Sequence, residues 1–280
     1  MRIRLHHEMR HHFDPPARGL MQILRVSPRD CESQHVVDWR IDLDVDCRLT
    51  RSEDGYGNLV HTFTLDGPVP DVTITIEGDV DTFDAAGVVR GAAERFAPEL
   101  FLRETPLTRV EAPLRTLARA VRAGAENDLD AAHRLMGAIH QAMGYERAAP
   151  ESQPIGAGAA IAAGKGDTRD FAHAFVAGAR EIGLPARVVA GYRITAEEGG
   201  LAQQRLWAEA HVADIGWIAF DPAAGFCPGE TYLRVACGLD WLDVAPLRAS
   251  HASGGAMVSR HMIDARGAVG ATQSQSQSQG

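Results

Sequence analysis

The chain has 280 residues, 37 acidic and 28 basic side chains, a formal net charge of −9 and 45% hydrophobic residues. This length suits one large domain or two modest ones, the apolar content is ample for a packed core, and the negative balance argues against broad nucleic-acid binding. No stretch approaches the ~18 apolar residues of a membrane span, and Met1–Arg10 lacks the apolar centre of a secretory signal.

The four cysteines, Cys31, Cys47, Cys227 and Cys237, form no CxxC pair. Reduced thiols in a cytoplasmic protein are the expectation, with two disulfides as the alternative.

Up to about residue 85 the chain reads as β structure. Ile3 and Leu5 alternate with polar neighbours, residues 20–26 end at Ser27-Pro28, and residues 36–45, 60–65 and 72–80 follow the same period-two pattern between Gly, Pro and Asp punctuation. Such runs predict antiparallel strands in a sandwich-like domain. His7-Glu8-Met9-Arg10-His11 matches H-E-x-x-H, a zinc-protease pattern. That chemistry needs a helix, which puts both histidines on one metal. On a strand, positions i and i+4 lie roughly 13 Å apart, too far for bonds of ~2.1 Å, so the segment reads as a solvated strand and no metal is expected.

Residues 113–125 and 128–143 carry apolar side chains at helical spacing, with Asn127-Asp128 as the start signal of the second helix. A Gly/Ala/Pro-rich loop spans 148–166, and a helix from about Thr168 to Ile182 stops at Gly183-Leu184-Pro185. Strands are expected over 186–194, 206–212, 217–221 and 233–239. Beyond residue 248 periodicity fades, and the Gln/Ser repeat 272–280 has no apolar residues with which to build a core.

Five short blocks in this second half are specific. Gly164-Lys165-Gly166-Asp167-Thr168-Arg169-Asp170-Phe171-Ala172-His173 is followed by Gly183-Leu184-Pro185-Ala186-Arg187, and then by Gly191-Tyr192. Downstream come Trp207-Ala208-Glu209 and Gly216-Trp217-Ile218-Ala219-Phe220-Asp221-Pro222. This pattern resembles the bacterial transglutaminase-like family, with its G-x-G-V-C-Q-D-F-A-H, G-[IL]-P-A-R, H-A-W-A-E and G-W-x-x-F-D-P segments. His7-Glu8, Phe13-Asp14-x-Pro16 and residues 87–91 resemble the same family's N-terminal β domain, so the likeness covers most of residues 1–248.

The resemblance implies a papain-like α+β domain behind an N-terminal antiparallel β domain. It also implies a Cys-His-Asp triad: a thiolate at a helix N-terminus, a histidine on a strand and an aspartate on the next strand. Carried over residue by residue, the cysteine position is Thr168, the histidine position Arg205 and the aspartate position Asp221. A threonine hydroxyl needs an adjacent general base, and arginine stays protonated, so this set lacks the means for the family's acyl transfer. His211 is six strand residues, ~20 Å, from Arg205. His173 lies about 140° around its helix from Thr168. Cys227 lies in a loop after Asp221, where the family often shows a similar Gly-x-Cys-Pro.

The expected organisation is a sandwich-like β domain over 1–90, a transglutaminase-like core over 91–248 and an irregular tail over 249–280. The expected function is that of a pseudoenzyme binding a peptide-like or carboxylate ligand, or a partner protein, in the old cleft. Thr168 as N-cap, Arg169, Arg205 and Trp207 are the binding candidates, and the helix N-terminus is expected to attract the anion. The rival expectation pairs both arginines with Asp167, Asp170 and Asp221. An active amide hydrolase or acyl transferase with another nucleophile, and a scaffold with an empty cleft, are the alternatives. No cofactor is implied, and oligomeric state is left open.

Overall fold

The computed structural model describes residues 1–147, 152–194, 202–252 and 256–268; the start of the Gly/Ala/Pro-rich loop and the Gln/Ser repeat lie outside them. Two very long strands organise the first part of the chain. β1 (Arg2–Ser27) and β4 (Leu59–Thr82) pair antiparallel almost end to end, with β2 (Gln34–Leu43) and β3 (Thr50–Glu53) on the far side of β4. Their alternation is physical. Ile3, Leu5, Met9 and Phe13 point inward, while Arg2, Arg4, His6 and Arg10 face water. On the wet face Arg2 bonds Asp81 and Arg4 bonds Asp79 across the ladder, exposed pairs worth ~0–1 kcal/mol each. The separate runs at 1–7 and 20–26 are one strand, because β1 absorbs its break at Asp14-Pro15-Pro16 in a register shift instead of ending there. These four strands belong to one hydrogen-bonded six-stranded sheet.

The end of the chain completes that sheet. β12 (Leu247–His251) and β13 (Ala256–Ala268) both pair with β1, on the side away from β4. The expectation of an irregular tail from residue 249 therefore fails over 249–251 and 256–268. There a buried Ala265 and a core-packed Ile263 supply enough inward apolar surface for a strand, although the sequence carries few strong strand formers.

Between these parts lies the α+β unit. β5 (Val88–Val89) is followed by two 3₁₀ turns at Pro98–Leu102 and Pro106–Thr108. The helices are α1 (Ala112–Gly124), α2 (Asp128–Ala142), α3 (Ala157–Ala163), α4 (Thr168–Glu181) and α5 (Trp241–Val244). A two-residue parallel pair, β6 (Gly144–Tyr145) and β7 (Lys165–Gly166), closes the loop before α4. β8 (Ala186–Ile194), β9 (Ala202–Val212), β10 (Gly216–Phe220) and β11 (Tyr232–Gly238) complete a five-stranded antiparallel sheet in the order β11-β8-β9-β10-β5. The architecture is α+β, with an N-terminal antiparallel sheet ahead of the mixed unit.

α4 is the axis of this unit. Every residue from Asp170 to Arg180 is buried, with α1, α2 and α3 packed around it and its other side on β8 and β9. Gly178 lets Leu135 of α2 approach so closely that an added Cβ would meet it at 3.1 Å. α3 is one short helix inside the stretch expected to be loop; its Gly156 and Gly164 both take positive φ and delimit it.

Candidate functional site

The helix start, the β9 strand and the β10 end meet at one place. Asp167 is the N-cap of α4: its carboxylate accepts the N–H of Arg169 at 2.7 Å and of Asp170 at 3.4 Å, and Asp170 bonds back to the Asp167 N–H in a capping box. Thr168 is thus the first helical residue and not the cap, a correction of one position. The Asp-x-x-Asp spacing that fixes the start was present in the sequence. The Thr168 hydroxyl instead accepts the backbone N–H of Leu206 on β9 at 3.3 Å.

Arg205, the neighbour of Leu206, turns its guanidinium onto Asp221 at the end of β10. Both Asp221 oxygens are engaged: Nε of Arg205 donates to Oδ2 and its terminal nitrogen to Oδ1 at 3.0 Å. Tyr232 O–H donates to Oδ2 at 2.7 Å, and the Ala224 N–H to Oδ1 at 3.0 Å. The Asp221 side chain is fully buried and that of Arg205 is 8% exposed. Burial alone would lower the Arg205 pKa, but the hydrogen bonds and charge of Asp221 outweigh it and raise it further. The guanidinium is a fixed charge here and cannot act as a base. Burial and the Asp221 charge also drive the Tyr232 phenol upward, keeping it a donor.

The other candidates are engaged as well. Arg169 donates to Asp167 and to both the backbone and hydroxyl oxygens of Ser152, and lies 5.4 Å over the Trp241 ring. Trp207 is buried. Its ring covers Gly191, where a Cβ would come within 2.6 Å of it, and meets Tyr232 edge-on at 5.4 Å. The N–H groups expected to attract an anion are held by Asp167. The rival expectation therefore describes the arginines: Arg169 is closed by Asp167 and Arg205 by Asp221, while Asp170 takes only backbone N–H bonds, from Ile155 and Asp167. Burial and the Asp167 charge push the Asp170 carboxyl upward.

His173, His211 and Cys227 have surroundings of their own, while the His140 ring lies at 3.0 Å from the Pro222 carbonyl, next to Asp221. His173 is wholly buried and accepts the Trp241 N–H at 3.0 Å, and burial with the charges of Arg180 and Arg169 lowers it to about 3. His211 stacks edge-on with Trp217. The Cys227 thiol is raised by burial, the opposite of an activated nucleophile.

His7 and His11 do lie on a strand, but it is not solvated at these positions. Both side chains are buried, His7 sharing hydrogen bonds with Tyr192 and His261 and His11 with Gln22. Among the described residues no group of three or more His, Cys, Asp or Glu could hold a metal ion.

Behind the site runs a buried ion network that residue spacing does not disclose. Glu209 receives Arg187 at 2.6 Å and Arg234 at 2.7 Å, and Arg187 also bonds Glu94 and lies 3.9 Å over the Trp217 ring. Burial would raise Glu209, but the two guanidinium charges win and lower it to about 2.

Sequence profiles agree with this architecture. The profile described as bacterial transglutaminase-like N-terminal region matches residues 3–81, and that of the transglutaminase-like superfamily core matches residues 115–222. Both parts of the chain are thus similar to bacterial transglutaminase-like proteins. It is 26% identical over 274 residues to an uncharacterized protein of Mycobacterium leprae, covering 91% of this chain and 95% of that one. An uncharacterized protein of Mycobacterium tuberculosis is 27% identical over 259 residues, covering 80% and 79%. Among solved structures, a candidate cysteine protease from Cytophaga hutchinsonii superposes with a TM-score of 0.77 at 20% identity, covering 95% of this chain and 90% of that one, a likeness of fold. No described helix is long and apolar enough to cross a membrane.

Proposed function

We propose that this chain is a non-catalytic member of its family, in which the triad positions have become a structural lock between α4, β9 and β10. The carrying observation is the closed Arg205–Asp221 pair, with Tyr232 on the same carboxylate and the Thr168 hydroxyl committed to Leu206. In the family's reaction this space must hold a thiolate and an imidazole that exchange a proton. A guanidinium held by a buried carboxylate preserves charge balance but exchanges none.

A peptide-like segment or protein partner, not a free carboxylate, is the ligand class we assign to this face. Both arginines already have carboxylate partners, whereas the surrounding rim offers apolar surface. Tyr145, paired with Gly166 beside the helix start, is 53% exposed. Ile155, hydrogen-bonded to Asp170, is equally exposed, and Phe226, bridged to Asp221, is 44% exposed.

The test is a glutamine-peptide amidase and amine-transfer assay on the natural chain, on Thr168→Ala, and on Thr168→Cys combined with Arg205→His. No turnover by the natural chain, with turnover gained in the double variant, is the expected result. Turnover by the natural chain that Thr168→Ala removes would overturn the reading and make Thr168 a nucleophile.

A further inference from the structure

We infer that the chain associates with a second copy of itself through the free edge of β13, forming one sheet continuous across a two-fold axis at Met262. Among the described residues β13 pairs only with β1, which leaves one side of a 13-residue strand, ~44 Å of backbone donors and acceptors, without a neighbouring strand. Its outward face carries Val258, Arg260, Met262 and Asp264, all exposed, with Met262 at 55%.

Of the charges on this face, Arg260 sits opposite a like charge in the single chain, and Asp264 opposite a side chain already engaged elsewhere. Arg260 lies opposite Arg10 on β1, and that arginine is bonded to Glu8. Asp264 lies opposite His6, which is bonded to Glu77. Like charges directly opposite on a ladder are destabilising. Neither Arg260 nor Asp264 has an ion-pair partner among the described residues.

A second β13 laid antiparallel along the free edge changes this. With Met262 opposite its own copy, Arg260 faces Asp264 of the other chain and Asp264 faces Arg260, so one contact is made twice, as a two-fold interface requires. A slip of two residues, which moves the centre by one and keeps the same faces together, removes both pairs. With the centre at 261, Arg260 faces Met262 and Asp264 faces Val258; with the centre at 263, Asp264 faces Met262. The charges therefore select both the partner and the register. The exposed Met262 pair fills the centre, flanked by the two ion pairs and then by Val258.

Light scattering on the full chain across a concentration series, with small-angle scattering for shape, tests this. The natural chain is expected to run at twice its 30.2 kDa mass at the upper concentrations. Asp264→Arg and Arg260→Asp should each loosen association at least tenfold, because each sets like charges face to face twice, and combining them should restore it. Circular dichroism checks that each variant keeps its strand content. Should a reversal disturb the monomer, the neutral pair Arg260→Gln with Asp264→Asn gives the same reading by weakening association without repulsion. A natural chain of 30.2 kDa at every concentration, a dimer indifferent to both reversals, or a folded double reversal that does not recover would each overturn the inference.

Discussion

Arg205 and Asp221, sixteen residues apart in the chain, close on one another through two hydrogen bonds in a space from which water is almost wholly excluded. A buried pair of this kind is costly to break from one side, because the remaining charge has nowhere to go.

Arg205→Ala is therefore expected to destabilise the fold by ~3 kcal/mol, the low end of the range for such losses, since Tyr232 and Ala224 still serve Asp221. Arg205→Met with Asp221→Asn should cost clearly less than Arg205→Ala alone. Urea unfolding of the three proteins checks it, and a double variant that loses more than Arg205→Ala alone would mean that the pair is not coupled.

Thr168 makes a smaller contribution. Thr168→Val keeps the volume but removes the acceptor for the Leu206 N–H, and should cost ~1 kcal/mol. Thr168→Ser should recover most of it. A value near zero for Thr168→Val would place a water on that N–H in the natural chain.

Glu209 carries more. It is fully buried between Arg187 and Arg234, so Glu209→Gln leaves two guanidinium groups with one neutral partner. A loss of ~3 kcal/mol or more is expected, with the unfolding slope in urea unchanged. Arg187 would keep Glu94 and the Trp217 face, so Arg187→Lys, which cannot reproduce both contacts, should be the milder change.

Acid stability is set by buried histidines. Burial first, then neighbouring histidines at His7 and His11 and neighbouring arginines at His173, holds His7 and His173 at about 3 and His11 at about 4, all below the ordinary value of 6.5. The unfolded chain takes up these protons near pH 6.5 while the folded chain refuses them until pH 3 to 4. Stability is thus complete above pH 6.5 and falls as pH drops below it. Glu209, with its folded value of about 2, adds a second loss that begins only below pH 4.5. His173→Gln, which keeps an acceptor for Trp241, should reduce the pH 6 to 4.5 slope by up to about 1.4 kcal/mol per pH unit, one proton's linkage. Unfolding free energies measured at half-unit pH steps would reveal an unchanged slope if His173 already charges in the folded state.

Much of this architecture was legible before any coordinates. The α4 span and the strand at 186–194 follow from periodicity and stop signals, and the meeting of Thr168, Arg205 and Asp221 from the likeness of short blocks to those of the transglutaminase-like family. What escaped were relationships without a local signature. Tyr232 reaches Asp221 from another strand, and Ser152 fixes Arg169 from a loop. β13 carries too little apolar surface to be recognised alone and becomes a strand only because β1 is there to pair with it. The N-cap of α4 was misplaced by one residue because both Asp167 and Thr168 are good caps, and the Asp170 back-bond decides between them.

The pairing of Arg2 with Ala268 has a consequence for the order of events during synthesis. Once made, β1 finds one neighbour, β4, within 81 residues, but its other neighbour arrives only after more than 240 residues. Until then β1 presents a bare edge, the state most prone to pair with a stranger. The charged residues along its wet face, Arg2, Arg4, Glu8 and Arg10, make that edge a poor template for apolar pairing until β13 covers it.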